Sequence, residues 1–277
     1  MFDERRHDID ALRSIALFLL IFYHLAVSFT SVAKWILFVP NNKPIDNIWS
    51  LLSIFNIWRI PLLFIIAGIA LRFSYQNRGV GKLFKERFKR LGIPYLFGAV
   101  TFVPLYIIIS AQFIYGDMSL DDNIGVLITS IFTGGHLWFL INILIYCLLF
   151  IPIIGFISNK KRGYKFVDSI LKIRGGVLLF SIPIILEGYL LDLTAYKEDI
   201  GYGNSYSEYY GTDHGLLLGF IWFLIGIVLT SQGDTFWEYN IKNINTHALI
   251  GVPLLINRFV NEFEVANTLI AFESFNF

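Results

Sequence analysis

Charge is scarce in this 277-residue chain: Asp, Glu, Lys and Arg together make up only 16% of it. A water-soluble domain usually carries about 25% charged residues, so the apolar content here has too few charges to coat it, and a soluble globular enzyme is excluded. Cysteine is nearly absent. The one residue, Cys147, excludes an intramolecular disulfide and any cysteine-rich metal site. Net charge is small as well, since 22 Lys and Arg against 21 Asp and Glu leave +1. That balance excludes a broadly basic nucleic-acid binder. The chain also lacks an internal repeat, a low-complexity tract, a linker marking a second domain, and any His and carboxylate cluster at ligand spacing, so no metal is expected.

What is present is apolar: hydrophobic residues reach 56%, aromatics 17%, and the mean hydropathy is +0.63. A helix needs about 20 such residues to cross a hydrocarbon core of about 30 Å. Six uncharged runs qualify, approximately Ser14 to Ala33, Ile48 to Leu71, Leu91 to Ile109, His136 to Ile157, Gly176 to Leu191 and Gly215 to Ser231. A shorter seventh runs from Ile244 to Asn257. The first is too long for a signal peptide and lacks a small-residue cleavage site, so it stays as a membrane helix.

Basic residues in the connecting loops set the orientation, because they are retained in the cytoplasm. Arg5, Arg6 and Arg13 precede or open the first span. The loop after the second carries Arg72, Arg78, Lys82, Lys85, Arg87, Lys89 and Arg90, and that after the fourth carries Lys160, Lys161, Arg162, Lys165, Lys172 and Arg174. The remaining loops are acidic, with Asp117, Asp121 and Asp122 after the third span and Asp192, Glu198, Asp199, Glu208 and Asp213 after the fifth, against Lys197 alone. The expectation is an all-α, polytopic transmembrane helical bundle of six to seven spans, one domain over residues 1–277, with a cytoplasmic N-terminus and a multi-pass place in the cell (inner) membrane.

An ionisable group inside a span costs about 2.5–3.5 kcal/mol on insertion scales and marks a functional-site hypothesis. Arg13 and His24 lie eleven positions apart, about three helical turns, hence on one face and about 16 Å apart along the axis. Arg13 sits at the cytoplasmic boundary and can hold phosphates of a donor through its planar fork. His24 reaches mid-membrane, where a neutral imidazole accepts a proton from a hydroxyl. The same positions allow a structural reading, with His24 bonded to another helix and Arg13 an interfacial anchor. Arg59, beside Pro61 in the second span, marks an internal polar site or a partner for a carboxylate or a carbonyl freed by the proline. Glu187 lies within a turn of Asp192 and is expected to lean out into water. Arg87 and Arg90, three apart, can grip adjacent phosphates, although the basic loop around them also suits an anionic lipid surface. His136 starts the fourth span at its outer end, and Trp138-Phe139 fits an interfacial belt at least as well as a substrate platform.

Four stretches resemble acyltransferase family 3, the integral-membrane acyltransferases of extracytoplasmic glycans, including its branch similar to glucan biosynthesis protein C and O-acetyltransferase-like proteins. Asp8-Ile9-Asp10-Ala11-Leu12-Arg13, with His24 ten residues beyond, resembles the opening signature. Arg59-Ile60-Pro61 through Ala67-Gly68 resembles the second span, with Ala67 where a serine is frequent. Arg87 to Tyr95 resembles the paired-arginine segment, and Gly135 to Leu140 the entry to the fourth span. The resemblance implies a catalytic base or acyl-relay role for His24, with Asp10 as its supporting partner. It also implies contacts of Arg13, Arg87, Arg90 and Arg59 with an acyl-coenzyme A donor substrate, and no separate cofactor. His136 and Trp138 become acceptor-side candidates for a glycan hydroxyl. The implied function is membrane O-acyl transfer of an acetyl or succinyl group; the alternatives are a secondary transporter or flippase for a sugar or acidic substrate, or a silent membrane scaffold. Members of the family usually have about ten spans, so a chain ending at Phe277 after a weak apolar patch at Leu269 to Phe272 is expected to be incomplete at its C-terminus.

Overall fold

The computed structural model describes residues 7–30, 33, 38–45, 48–76, 78–116, 119–133, 135–157, 164–193, 213–231, 233–257 and 260. Arg5, Arg6, Asp117, Lys160 to Arg162, most of the acidic loop from Lys197 to Glu208, and the C-terminal patch lie outside the described residues. All regular structure among the described residues is helical. In chain order the elements are α1 (His7–Val27), α2 (Ile48–Gln76), α3 (Val80–Arg87), a π-helical turn (Phe88–Gly92), α4 (Ile93–Val100), α5 (Phe102–Tyr115) and α6 (Leu120–Thr133). A 3-10 turn (Gly135–Leu137) then leads into α7 (Trp138–Phe150), followed by α8 (Ile154–Ile157) and α9 (Tyr164–Lys172). A second 3-10 segment (Gly176–Ser181) precedes α10 (Ile182–Leu193), α11 (Asp213–Thr230) and α12 (Asp234–Lys242). The apolar helix Ile244–Asn257 is α13.

Among the described residues, three helical stretches are long and apolar enough to cross a membrane: His7–Val27, Trp58–Gln76 and the 36-residue run Val80–Tyr115. A fourth arises if His214–Thr230 and Thr235–Lys242, which meet at 102°, form one broken span. Where the fourth, fifth and seventh runs were expected, the structure has the shorter helical stretches Gly135–Phe150, Gly176–Glu187 and Ile244–Asn257. Proline and glycine explain two of these. Pro152 ends α7 near Phe150, because its ring nitrogen has no proton to donate to the Leu148 carbonyl four residues back, and the fifth run opens as a tight 3-10 segment between Gly176 and Pro183.

α1 and α2 pack antiparallel, with Ile9 against Ile66 and Ile69 at one end and Tyr23 and Val27 against Leu52 at the other. The outward face of α1 keeps Phe18, Ile21, Phe22 and Leu25 exposed, as suits a helix surrounded by lipid. Behind α2 lies α11, and the two backbones approach closely at glycines. A Cβ on Gly68 would stand 2.1 Å from the Phe223 carbonyl oxygen, and one on Gly226 would stand 2.2 Å from that of Ile65. Such close approach through small residues is how helices associate when lipid removes the hydrophobic incentive. α7 closes the core: Phe64, Tyr146, Phe150 and Phe223 are buried together, and the Tyr146 hydroxyl donates to the Leu216 carbonyl at 2.6 Å. Cys147 is buried in this cluster.

Glu187 does not lean into water. It is 8% exposed and pairs with His214 of α11 through the histidine Nδ1, so a side-chain hydrogen bond ties α10 to α11. Burial makes the partner decisive, because a polar group taken out of water costs free energy unless it is hydrogen-bonded. Glu187→Ala, which strands His214, is expected to cost about 1–3 kcal/mol and to lower the unfolding midpoint in detergent. Leu186→Ala, at a 55% exposed neighbour, is expected to leave that midpoint nearly unchanged.

Candidate active site

His24 lies in the last turn of α1, where its Nδ1 is 2.7 Å from the Leu20 carbonyl oxygen. A carbonyl only accepts, so Nδ1 carries the proton and donates it. In the neutral ring that assignment leaves the Nε2 lone pair available as a base. One α-helical turn of spacing produces this geometry, because residue i+4 stands over residue i on the same face.

The loop after α1 folds back over this end, held by Asn41 N–H donating to Ser28 (2.9 Å) and Ile45 N–H donating to Phe29 (2.8 Å). It places the Phe38 ring 5.9 Å from the His24 ring in a stacked arrangement. From a distant part of the chain comes His136, whose ring centroid is 5.7 Å from His24 and 4.8 Å from Phe38. Tyr106 of α5 also stacks on His136, with centroids 4.3 Å apart and planes 14° from parallel. Gly135 permits this. Its φ of +45° suits a residue without a side chain, and a Cβ there would sit 2.7 Å from Val103 Cγ1 and 2.9 Å from Tyr106 Oη.

Arg59 is 1% exposed. Its guanidinium lies 4.4 Å from the centre of the Tyr23 ring and donates through Nη1 to the Leu19 carbonyl at 3.4 Å. A cation over an aromatic face is stabilised by the ring quadrupole. Both contacts are with α1 residues next to His24, so Arg59 belongs to the histidine end and ties α2 to α1 there.

The other arginines gather further along. Arg87 of α3 is half-buried, and its Nη2 donates to the Ala70 carbonyl at 3.0 Å and the Ser74 hydroxyl at 2.5 Å. Its Nε, also buried, has no hydrogen-bond partner among the described residues. Arg13 and Arg90 are its electrostatic neighbours. Eleven residues of α2 separate Arg59 from Ala70, about 16 Å of helix. The π-helical turn begins right after Arg87, and its wider winding turns Arg90 away from the Arg87 anchor: Arg90 is 67% exposed and pairs with Glu86 at 3.1 Å. Asp10 and Arg13, three apart on α1, are both partly buried, and the Ser14 hydroxyl donates to the Asp10 carbonyl at 2.9 Å.

The structure therefore brings His24 and His136 together, sets Arg59 beside them, and groups Arg13, Arg87 and Arg90 toward the opposite end of α1. Trp138 packs on Phe64 and Phe139, at 6.4 and 5.9 Å between centroids, and borders the main core. Sequence reasoning passed over Tyr106 and Phe38. Tyr106 sits in the uniformly apolar run of α5, where no periodicity sets it apart, and the position of Phe38 depends on a loop that local pattern does not specify.

No curated protein and no solved structure matched the chain. A family model described as an acyltransferase domain matches residues 6–236, a stretch that holds both histidines, all four arginines and the helices that carry them. With a match across most of its length and membrane-spanning apolar helices beneath it, the chain is a membrane protein belonging to acyltransferase family 3.

Proposed function

We propose that this protein is a membrane O-acyltransferase that moves an acyl group, acetyl or succinyl, from cytoplasmic acyl-coenzyme A to a hydroxyl of a glycan outside the cell membrane. The observation that carries the reading is the meeting of His24 and His136, 112 residues apart in sequence, with ring centroids 5.7 Å apart. A histidine pair roofed by Phe38 and flanked by Tyr106 is placed to handle a hydroxyl proton where bulk water is scarce.

The chemistry balances with these groups alone. The acceptor hydroxyl oxygen attacks the thioester carbonyl carbon, the new C–O bond forms as the C–S bond breaks, and the coenzyme thiolate leaves. His24 Nε2 takes the hydroxyl proton and returns it to the departing sulfur. His136 orients the acceptor, and Arg59 supplies positive charge near the developing oxyanion. At the other end Arg13, Arg87 and Arg90 hold the donor phosphates, with the Arg87 Nε as an available donor. An extended pantetheine arm covers a separation of the order of the 16 Å between the two ends. Buried Cys147 carries no acyl group in this scheme.

The test is acyl-coenzyme A binding and transfer by purified protein in lipid nanodiscs. Arg87→Ala combined with Arg90→Ala is expected to weaken donor binding about tenfold or more, as for loss of charge-assisted hydrogen bonds, without loss of membrane insertion. Equal coenzyme A affinity in the double variant removes the phosphate role of these residues.

A further inference from the structure

A cavity of about 530 Å³ opens at the basic end of α2, lined by Arg72, Tyr75, Gln76, Arg78, Gly79, Val80 and Gly155. Its volume lies in the range of small-ligand sites. Among the described residues no carboxylate lines it, and its polar wall carries the Arg72 and Arg78 guanidinium groups, the Tyr75 phenol and the Gln76 amide. Arg72 is 6% exposed, so a charged group is held inside the protein at the cavity wall. Arg78 is steered by Glu86, which pairs with it across the turn between α2 and α3 and which also holds Arg90 at 3.1 Å. The floor is Gly155 of α8. A Cβ there would come within 2.7 Å of the Tyr75 hydroxyl, so the glycine leaves room for that hydroxyl at the cavity floor.

From this geometry we infer that the cavity is a phosphate-ester site, distinct from the group formed by Arg13, Arg87 and Arg90. Arginine forks match phosphate oxygens in pairs and a phenol adds a third donor, while the remaining volume accommodates the organic substituent of the ester. Two sources present this chemistry at the end of a membrane helix: the 3′-phosphate of a nucleotide-type ligand, and the headgroup of an anionic phospholipid.

Binding to the full chain in nanodiscs tests the site without requiring any acyl transfer; the coenzyme A arm rests on the donor reading above, and the phosphatidic acid arm does not. The probes are coenzyme A, 3′-dephospho-coenzyme A, and nanodiscs of phosphatidylcholine with or without phosphatidic acid. Arg78 is exposed enough to replace without unfolding the core, and Gly155→Leu fills the cavity from its floor. Arg78→Gln and Gly155→Leu are each expected to weaken one probe about tenfold, while Lys82→Gln, on the exposed side of α3, stays within twofold. If coenzyme A loses affinity and 3′-dephospho-coenzyme A does not, the ligand is nucleotide-like. A loss confined to phosphatidic acid identifies a lipid headgroup. Unchanged binding of every probe to a folded Arg78→Gln protein, with an unshifted unfolding midpoint, overturns the site.

Discussion

His24→Ala is expected to lower acyl transfer by a factor of about 10²–10⁴, the usual contribution of a positioned general base, while the protein still inserts and keeps its unfolding midpoint within a few degrees. The reason lies in how the ring is held. Its Nδ1–H is committed to the Leu20 carbonyl at 2.7 Å, which leaves Nε2 as the only ring nitrogen able to take a proton from a neutral state. His24→Gln separates the two roles, because an amide can still donate to Leu20 yet cannot act as a base; it is expected to behave like the alanine variant in rate. The donor KM should change little in both, since the arginines proposed to hold the donor phosphates lie about 16 Å away at the other end of α1. His136→Ala is expected to raise the acceptor KM more than it lowers kcat, in keeping with an orienting role. A His24→Gln protein with wild-type rate reduces the histidine to a hydrogen bond within α1.

Gly226→Leu is the second large effect, and it acts on the fold. The Cβ alone would stand 2.2 Å from the Ile65 carbonyl oxygen, and a backbone atom cannot swing aside as a side chain does. α2 and α11 must then separate, which pulls apart the cluster of Phe64, Phe223 and Tyr146. Overpacking a well-packed core costs typically 1–3 kcal/mol, and more where only backbone can yield. Little folded protein is expected to survive extraction in detergent, as size-exclusion chromatography will show. Gly68→Leu should behave alike, given 2.1 Å to the Phe223 carbonyl oxygen. Gly125→Leu is the control, since nothing lies within 4 Å of a Cβ at that position. Because α2 carries Arg59 at one level and the anchors of Arg87 at another, loss of this pairing also disperses the site.

Several residues of the candidate site are legible in the sequence as polar groups within apolar runs, and the contacts that are not legible share a physical cause. Arg13 and His24 sit on one helix, so eleven residues of spacing fix their relation without any tertiary contact. His136 was legible as a polar residue at the edge of an apolar run, but its meeting with His24 depends on how α5 and the turn at Gly135 pack, which spacing along the chain does not encode. Arg87 and Arg90 show the limit of α-helical periodicity: the π-helical turn starting at Phe88 sends one guanidinium inward and the other to an exposed ion pair. Glu187 was misread for a similar reason, because its partner His214 lies 27 residues downstream on α11. The all-helical character followed directly from composition. The lengths of the helices did not, since Pro152 divides an apolar run that hydropathy alone joins.

The central claim is that acyl groups pass from a coenzyme A thioester to a hydroxyl at the His24–His136 centre. Its most direct test is a single-turnover experiment in sealed vesicles, with radiolabelled acetyl-coenzyme A or succinyl-coenzyme A on the side of the Arg87 end and an oligosaccharide acceptor on the other. The expected result is ester-linked label on the acceptor with wild-type protein and none above background with His24→Ala. Label appearing on the acceptor equally with both proteins would contradict the account.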